Sequence, residues 1–287
     1  MKVIFNADDF GLTAGVNHGI IAAFKKGLLT STSLISGGEA AEQAMDLALE
    51  NPALDIGIHL VLTDEPPLLS TKRLSTINTR DGLLPSRNRL LRAILTRKID
   101  YKEVRAEWHA QVEKPLRRGI KISHIDSHQF VHLFPGFCDI CLKIAQYYHI
   151  PFIRNTMIEP SLSKRLFPEI ELMRFLQWMG LWGWTRLITA RRLFPLQKNM
   201  PSVGFIKAGG RMTCADVLQI LDTLSVHKKL DCVELFLHPG LGDEQTHRKY
   251  KHWHYFWKND LNLLMNEDLR KGLEQRNIEA ISFKNEK

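Results

Sequence analysis

The run Asn6-Ala7-Asp8-Asp9-Phe10-Gly11 directly follows the apolar stretch Val3-Ile4-Phe5. Two adjacent carboxylates thus sit where a first strand should end. Their like charges disfavour a shared site unless a cation, a proton or strong hydrogen bonding compensates. Gly11 lets the backbone turn sharply beyond them. Three further strand-like runs bring ionisable side chains: Gly57-Ile58-His59-Leu60, His124-Ile125-Asp126-Ser127-His128 followed by His132, and Glu234-Leu235-Phe236-Leu237-His238-Pro239-Gly240. Taken singly, each histidine reads by default as a structural or surface residue, and the acidic pair as a turn. Four strand ends that together deliver Asp, His, His and His point instead to chemistry.

Asp9, His59 and His128 would offer one carboxylate and two imidazoles. Such a set leaves coordination positions open for water and substrate, as catalytic metal sites do and closed structural ones do not. Two imidazoles favour Zn2+ or another transition metal, whereas Mg2+ prefers all-oxygen shells. Asp8, pointing to the other side of the strand end, could act as a base, because a metal-bound water loses its proton far more easily than free water. His238 could protonate a leaving amine. Arg154, at the end of its own strand, could hold Asp8 ionised by opposite charge. The triplet Asp9-Phe10-Gly11 matches the kinase D-F-G, but only eight residues precede it, so the upstream parts of a kinase have no room.

Strands able to position these residues are expected over 3–7, 31–35, 55–62, 121–127, 151–154, 203–206, 232–238 and 279–283. Helical periodicity fills the intervals. Val16, Ile20 and Phe24 line one face, and Lys25-Lys26-Gly27 makes a stop. Asp100 and Glu103 resemble a capping box ahead of Val104, Trp108 and Val112, with Pro115 expected to kink or end that helix. Thr213 and Asp216 suggest a second cap. Strand–helix alternation with about eight strands predicts an α/β fold, a distorted (β/α) TIM-like barrel in one domain, whose strand ends converge on one rim. An open doubly wound sheet is the alternative, although neither G-x-G-x-x-G nor a P-loop is present. Insertions are expected near 63–98 and 160–200. In the first, Leu90, Leu91, Ile94 and Leu95 share a helical face. In the second, the run 172–188 holds Phe175, Trp178, Met179, Trp182 and Trp184 and suits a core, dimer-interface or lid helix.

With 44% apolar and 24% charged residues the chain is globular rather than disordered. No 18-residue uncharged apolar run occurs. The N-terminal apolar run is three residues long, too short for a signal peptide, so a cytoplasmic location is expected. The formal charge of +8, with basic clusters in 87–98, 186–198 and 248–258, suits solvated faces or an anionic partner such as a membrane surface. No nucleic-acid motif is present. Cys138 and Cys141 form a lone C-x-x-C without a second pair, which reads as positions i and i+3 of a helix in a reduced core. His247, His252 and His254 make a basic aromatic patch with Tyr250 and Trp253, suited to a surface loop or a flap near substrate.

The segments Asn6–Leu12, Gly57–Leu60, Asp126–His132 and Glu234–Gly240 resemble, in this order and over nearly the whole chain, the YdjC-like carbohydrate deacetylases. That family includes chitooligosaccharide deacetylase and hopanoid-biosynthesis-associated deacetylases. The resemblance implies a distorted (β/α) barrel, often a homodimer, a divalent metal usually given as Mg2+, and removal of acetyl from an N-acetylated sugar. It implies Asp8 as base, Asp9, His59 and His128 as ligands, and His238 as acid; His132 and Asp126 are expected behind the ligands. The family often has histidine where this chain has Phe130, so position 130 is not expected to ligate. The Gly210-Arg211-Met212-Thr213 segment resembles the hopanoid-linked subgroup, which implies a glycolipid at the inner membrane face; a soluble N-acetylglucosamine oligosaccharide is the other substrate. A metal-dependent phosphoesterase and a non-catalytic sugar-binding protein are the competing functions.

Overall fold

A computed structural model of the chain describes residues 1–77, 81–155, 202–204, 212–226 and 230–286, with 172, 175, 176, 179, 180, 182, 183 and 187. Most of the insertion near 160–200, including Trp178, Trp184 and the basic residues of the cluster 186–198, lies outside the described residues, as do Phe205, Ile206, Gly210 and Arg211. Strands are β1 (Lys2–Phe10), β2 (Ser31–Leu34), β3 (Asp55–Leu60), β4 (His124–Ser127), β5 (Phe152–Ile153), β6 (Ser202–Val203), β7 (Cys232–Leu237) and β8 (Glu279–Ala280). Helices are α1 (Ala14–Lys26), α2 (Ala41–Glu50), α3 (Arg87–Leu95), α4 (Tyr101–Arg117), α5 (Phe137–Tyr147), α6 (Cys214–Ser225), α7 (Glu244–Tyr250), α8 (Trp257–Leu264) and α9 (Glu267–Gln275). The fold is α/β with parallel strand pairs. No helix among the described residues is long and apolar enough to cross a membrane.

The chain divides into two compact units, and β1 and β2 contribute residues to both. The first unit comprises Met1–Asp8, Gly15–Thr32 and Arg154–Lys287. Here β2 neighbours β1, β1 neighbours β7, β7 neighbours β6, and β8 pairs with β1. Val3 lies opposite Val233 and Asn6 opposite Phe236. Every residue of β7 is buried, as expected for a parallel strand covered on both faces. Helix α1 stops at Lys26, and a Cβ on Gly27 would meet the Leu264 carbonyl oxygen at 2.5 Å. Helix α6 opens on the expected capping box: Thr213 Oγ1 accepts from the Asp216 N–H, and Asp216 accepts from the Thr213 N–H.

The second unit comprises Asp9–Ala14 and Ser33–Ile153, with β5, β4 and β3 as successive neighbours. Helix α4 buries Val104, Trp108 and Val112 as expected, but it runs through Pro115 to Arg117. Pro115 has no N–H to donate to the Gln111 carbonyl four residues back, and that carbonyl accepts from the Ser36 hydroxyl at 2.6 Å instead. Asp100 caps α4 by accepting from the Lys102 N–H, while Glu103 turns away and accepts from the N–H and hydroxyl groups of Ser75 and Thr76. The expected capping box is therefore only half formed. One turn on, the buried Glu107 accepts from the N–H groups of Leu68 and Leu69. Gln111 pairs with both backbone groups of Val61. A polar edge of α4 thus fastens the segment that follows β3. In α3 Leu90 is buried, Leu91 and Ile94 are half-buried, and Leu95 is 82% exposed, so the expected apolar face is covered except at its C-terminal end.

Several strand ends differ from expectation. β1 continues through Asp8 and Asp9 to Phe10, so the acidic pair lies inside the strand's end. β3 stops at Leu60 where Gln111 takes over the backbone pairing of Val61, and β4 starts only at His124. β8 is two residues long before the chain enters a short 3-10 turn at Phe283.

Candidate active site

In the second unit, Asp9 is fully buried and adopts a left-handed φ of 68°, a conformation that Asp tolerates better than most residues. Its Oδ1 lies 3.4 Å from His59 Nε2 and 3.6 Å from His128 Nδ1. The two imidazoles stand edge to face with centroids 5.8 Å apart. Ligand atoms of Asp9, His59 and His128 all fall within 4.8 Å of one another, and all three residues are buried. Two ligands about 2.1 Å from one zinc ion stand roughly 3.4 Å apart in tetrahedral geometry. The spacing and the donor set therefore fit a divalent ion, and the cluster is one that could hold a metal.

What surrounds His59 fixes its ring. Its Nδ1 hydrogen-bonds Asp126 Oδ1 at 2.8 Å, which directs Nε2 toward Asp9. A carboxylate behind a ligating imidazole fixes its tautomer and raises its basicity. Asp126 in turn accepts from Ser33 Oγ at 2.7 Å, and Ser33 Oγ is 3.0 Å from His124 Nε2. Because the Ser33 hydroxyl proton goes to Asp126, the serine accepts from His124. Gly57 is glycine for a steric reason: a Cβ there would lie 2.2 Å from His124 Nε2.

His128 begins a 3-10 turn over His128–Leu133 in which Gln129 and Phe130 have left-handed φ of 54° and 57°. Phe130 is buried, and Gln129 Nε2 donates to Asp64 Oδ2 at 3.1 Å. His132 takes a different partner from His128: its Nδ1 is 2.5 Å from Ser127 Oγ, and its N–H donates to the same oxygen.

The first unit holds a second cluster around Asp8, the residue one peptide bond before Asp9. Arg154 donates from Nη1 to Asp8 Oδ2 at 2.7 Å and from Nη2 to Asp8 Oδ1 at 2.6 Å. The same guanidinium donates from Nε and Nη2 to Glu234, at 3.0 and 2.7 Å. Ser202 Oγ donates to Glu234 Oε2, and Asn6 Nδ2 donates to Asp8 Oδ1 at 3.0 Å. The Arg154 guanidinium carbon sits 4.5 Å from the Phe236 ring centroid. One arginine thus serves two buried carboxylates in a fork geometry that lysine could not reproduce.

His238 Nε2 is 4.0 Å from Asp8 Oδ2, beyond hydrogen-bond reach. The backbone N–H of His238 donates to Asp260 Oδ2 at 2.9 Å. Burial pushes the Asp260 carboxyl above its ordinary value, and the hydrogen bond from His238 opposes that rise. The His238 ring packs against Tyr255 at 4.4 Å between centroids.

The adjacent aspartates therefore enter different environments, Asp8 with Arg154 and Asp9 with the imidazoles. Glu234, Ser202, Ser33 and Asp260 were not among the residues singled out from sequence. Glu234 had a signal, since a carboxylate in the middle of a buried parallel strand demands a partner. Ser202 and Ser33 carry none. Cys138 and Cys141 lie buried on α5 as free thiols; burial pushes Cys138 up to about 12 and Cys141 well above the usual thiol range, so neither is poised to react.

Comparison with known proteins gives a match to the family model described as YdjC-like protein over residues 2–275. A carbohydrate deacetylase of Clostridium beijerinckii is 28% identical over 284 residues, which is 99% of each chain. A carbohydrate deacetylase of Vibrio campbellii is 42% identical over 153 residues, a match that spans 53% of this chain and 58% of that protein. Among solved structures, a protein of Enterococcus faecalis V583 named for cellobiose-phosphate cleavage superposes with a TM-score of 0.75 at 25% identity, covering 99% of this chain and 97% of that one.

Proposed function

The chain belongs to the YdjC-like family, and from that premise we propose that it is a metal-dependent carbohydrate deacetylase. It would remove acetyl from an N-acetylated sugar, an N-acetylglucosamine oligosaccharide or glycolipid, and release acetate and the amino sugar. The relatives named carbohydrate deacetylase support this reading. The observation that carries it is the buried Asp9, His59 and His128 cluster, one peptide bond from an aspartate held by a two-pronged arginine.

Asp9, His59 and His128 would hold a divalent cation, which when bound supplies Lewis acidity toward the acetamide carbonyl and toward water. Asp126 keeps the His59 ring turned for that task. Asp8 accepts the proton of the attacking water at Oδ2, because Oδ1 already accepts from both Asn6 and Arg154 whereas Oδ2 accepts only from Arg154 Nη1 among the described residues. Arg154 holds the Asp8 carboxylate in one orientation, so no reorganisation is needed during proton transfer. His238 donates a proton to the departing amine. The barrel closure and single-domain organisation expected from sequence belong to the same reading, as do a homodimer, a cytoplasmic location and, from the +8 charge, contact with anionic membranes.

The two imidazoles favour zinc or another transition metal, and family resemblance favours magnesium. Metal analysis of purified protein tests the site. One divalent ion per chain, lost in both Asp9→Ala and His59→Ala, is the expected result. Undiminished loading in those variants would refute the ligand assignment, and two ions per chain would favour a phosphoesterase.

A further inference from the structure

In the second unit β3 carries His59 and β4 leads into His128, and the two strands run side by side with His59 opposite Asp126 and Leu60 opposite Ser127. Past Leu60 and Ser127 no sheet pairing joins the two chains among the described residues. The segment after β3 turns at Asp64, where φ is 62° and the Glu65 N–H donates back to the Thr63 carbonyl at 2.7 Å. A three-residue turn with positive φ is the rare, strained form. The segment after β4 turns through the left-handed pair Gln129 and Phe130. Residues with a Cβ keep such conformations only where their surroundings over-determine them. Two of these three strained positions are joined: Gln129 Nε2 donates to Asp64 Oδ2 at 3.1 Å.

Both ends of this contact are anchored. Before Asp64, Gln111 of α4 bonds both backbone groups of Val61 at 2.9 Å. After it, the Leu84 N–H donates to the Glu65 carbonyl at 2.9 Å, and Glu107 accepts from the N–H groups of Leu68 and Leu69. On the other side, the His132 N–H donates to Ser127 Oγ at 3.0 Å and closes the turn, while Phe130 is buried. His128 lies inside that closed turn, with its Nδ1 3.6 Å from Asp9 Oδ1. Asp126 turns the His59 ring directly, whereas a shift at Gln129 moves the His128 backbone one peptide bond away.

We infer that Asp64 and Gln129 form a strut between the two ligand-bearing segments and are positioning residues that set where His128 stands relative to His59 and Asp9. The inference rests on the reading of Asp9, His59 and His128 as metal ligands. The strut acts through one hydrogen bond. Asn at position 64 keeps an acceptor oxygen and preserves it, and Ala at either position removes it.

Calorimetric titration of the metal-free full chain with Zn2+, beside urea unfolding of the same metal-free protein, makes the test. Asp64→Ala and Gln129→Ala should each weaken Zn2+ binding about tenfold, the low end of what losing a partner behind a ligand costs. The double variant should bind no more weakly than either single one, because the same contact is lost once. Asp64→Asn should bind as wild type does. Gln129→Gly should lose affinity like Gln129→Ala while its urea midpoint does not fall below wild type, because glycine takes the left-handed turn without strain. Lower urea midpoints with an unchanged Zn2+ Kd in the two alanine variants would mark a merely structural contact and overturn the strut. Weakening in the double variant equal to the product of the two single effects would overturn it as well. A wild type that takes up no Zn2+ overturns the ligand reading and the strut together, whereas tight wild-type binding with an unchanged Kd in both alanine variants overturns the strut alone.

Discussion

Replacing Arg154 with Met should destabilise the protein severely. Arg154 is the shared cation of Asp8 and Glu234, both almost wholly buried, at 3% and 2% exposure. Removing one partner of a buried ion pair costs about 3–5 kcal/mol, because the remaining charge is left without compensation. Here two carboxylates would lose their donor together, so the upper part of that range is expected. Such a loss is a large share of the ~5–15 kcal/mol that holds a typical domain. Arg154→Lys keeps the charge but cannot fork toward both acids, so it should lose roughly half as much. In Arg154→Met/Glu234→Gln one of the stranded acids is gone, and the double variant should recover on the order of 1–3 kcal/mol relative to additivity. Urea unfolding measures all of this: the midpoint should fall with little change in slope. An Arg154→Met protein within about 1 kcal/mol of wild type, or strict additivity with Glu234→Gln, would refute the shared-cation account.

Asp8→Asn should lower acetate release by about 10²–10⁴-fold, as loss of a general base does, while metal content stays at the wild-type level; wild-type turnover in that variant would remove Asp8 from the base role. Asp126→Ala should weaken metal affinity by about 10–100-fold through the freed His59 ring, read by calorimetric metal titration; an unchanged affinity would mean that Asp126 does not orient His59. Because burial raises the folded-state pKa of Asp260 above its ordinary 3.8, its stabilising contribution is full below that value and is lost as pH rises through the folded value. Asp260→Asn keeps an acceptor for the His238 N–H and cannot ionise. Wild type should therefore lose stability relative to this variant over that rise, and a stability difference that is flat with pH would contradict it.

Much of the site's raw material was legible in the chain, because Asp8, Asp9, His59, His128 and His238 stand at or just beyond the ends of runs whose apolar content announces buried strands. The structure brings Asp9, His59 and His128 together and gives Arg154 to Asp8. Less legible were residues whose role depends on a distant partner. Glu234 sits mid-strand and acquires meaning only from Arg154, eighty positions away. Ser33 matters because it stands between His124 and Asp126. Glu107 and Gln111 were obscured by the stronger apolar stripe of Val104, Trp108 and Val112, since hydrophobic periodicity describes the face a helix buries and says nothing of a polar edge that fastens a loop. Strand ends erred for a related reason: β3 stops where a glutamine side chain replaces a neighbouring strand. At Phe130 residue type alone argued against ligation, and the left-handed turn that carries it could not be read from propensity.

The most direct test of the central claim is acetate release by the metal-loaded protein from a panel of N-acetylated sugars and glycolipids, run with and without a chelator. The account predicts acetate and a matching amount of free amine from at least one N-acetylglucosamine-containing substrate, abolished by chelation and restored by adding back a divalent metal. Release that persists undiminished in the chelated protein, or no acetate from any member of the panel with metal bound, would contradict it.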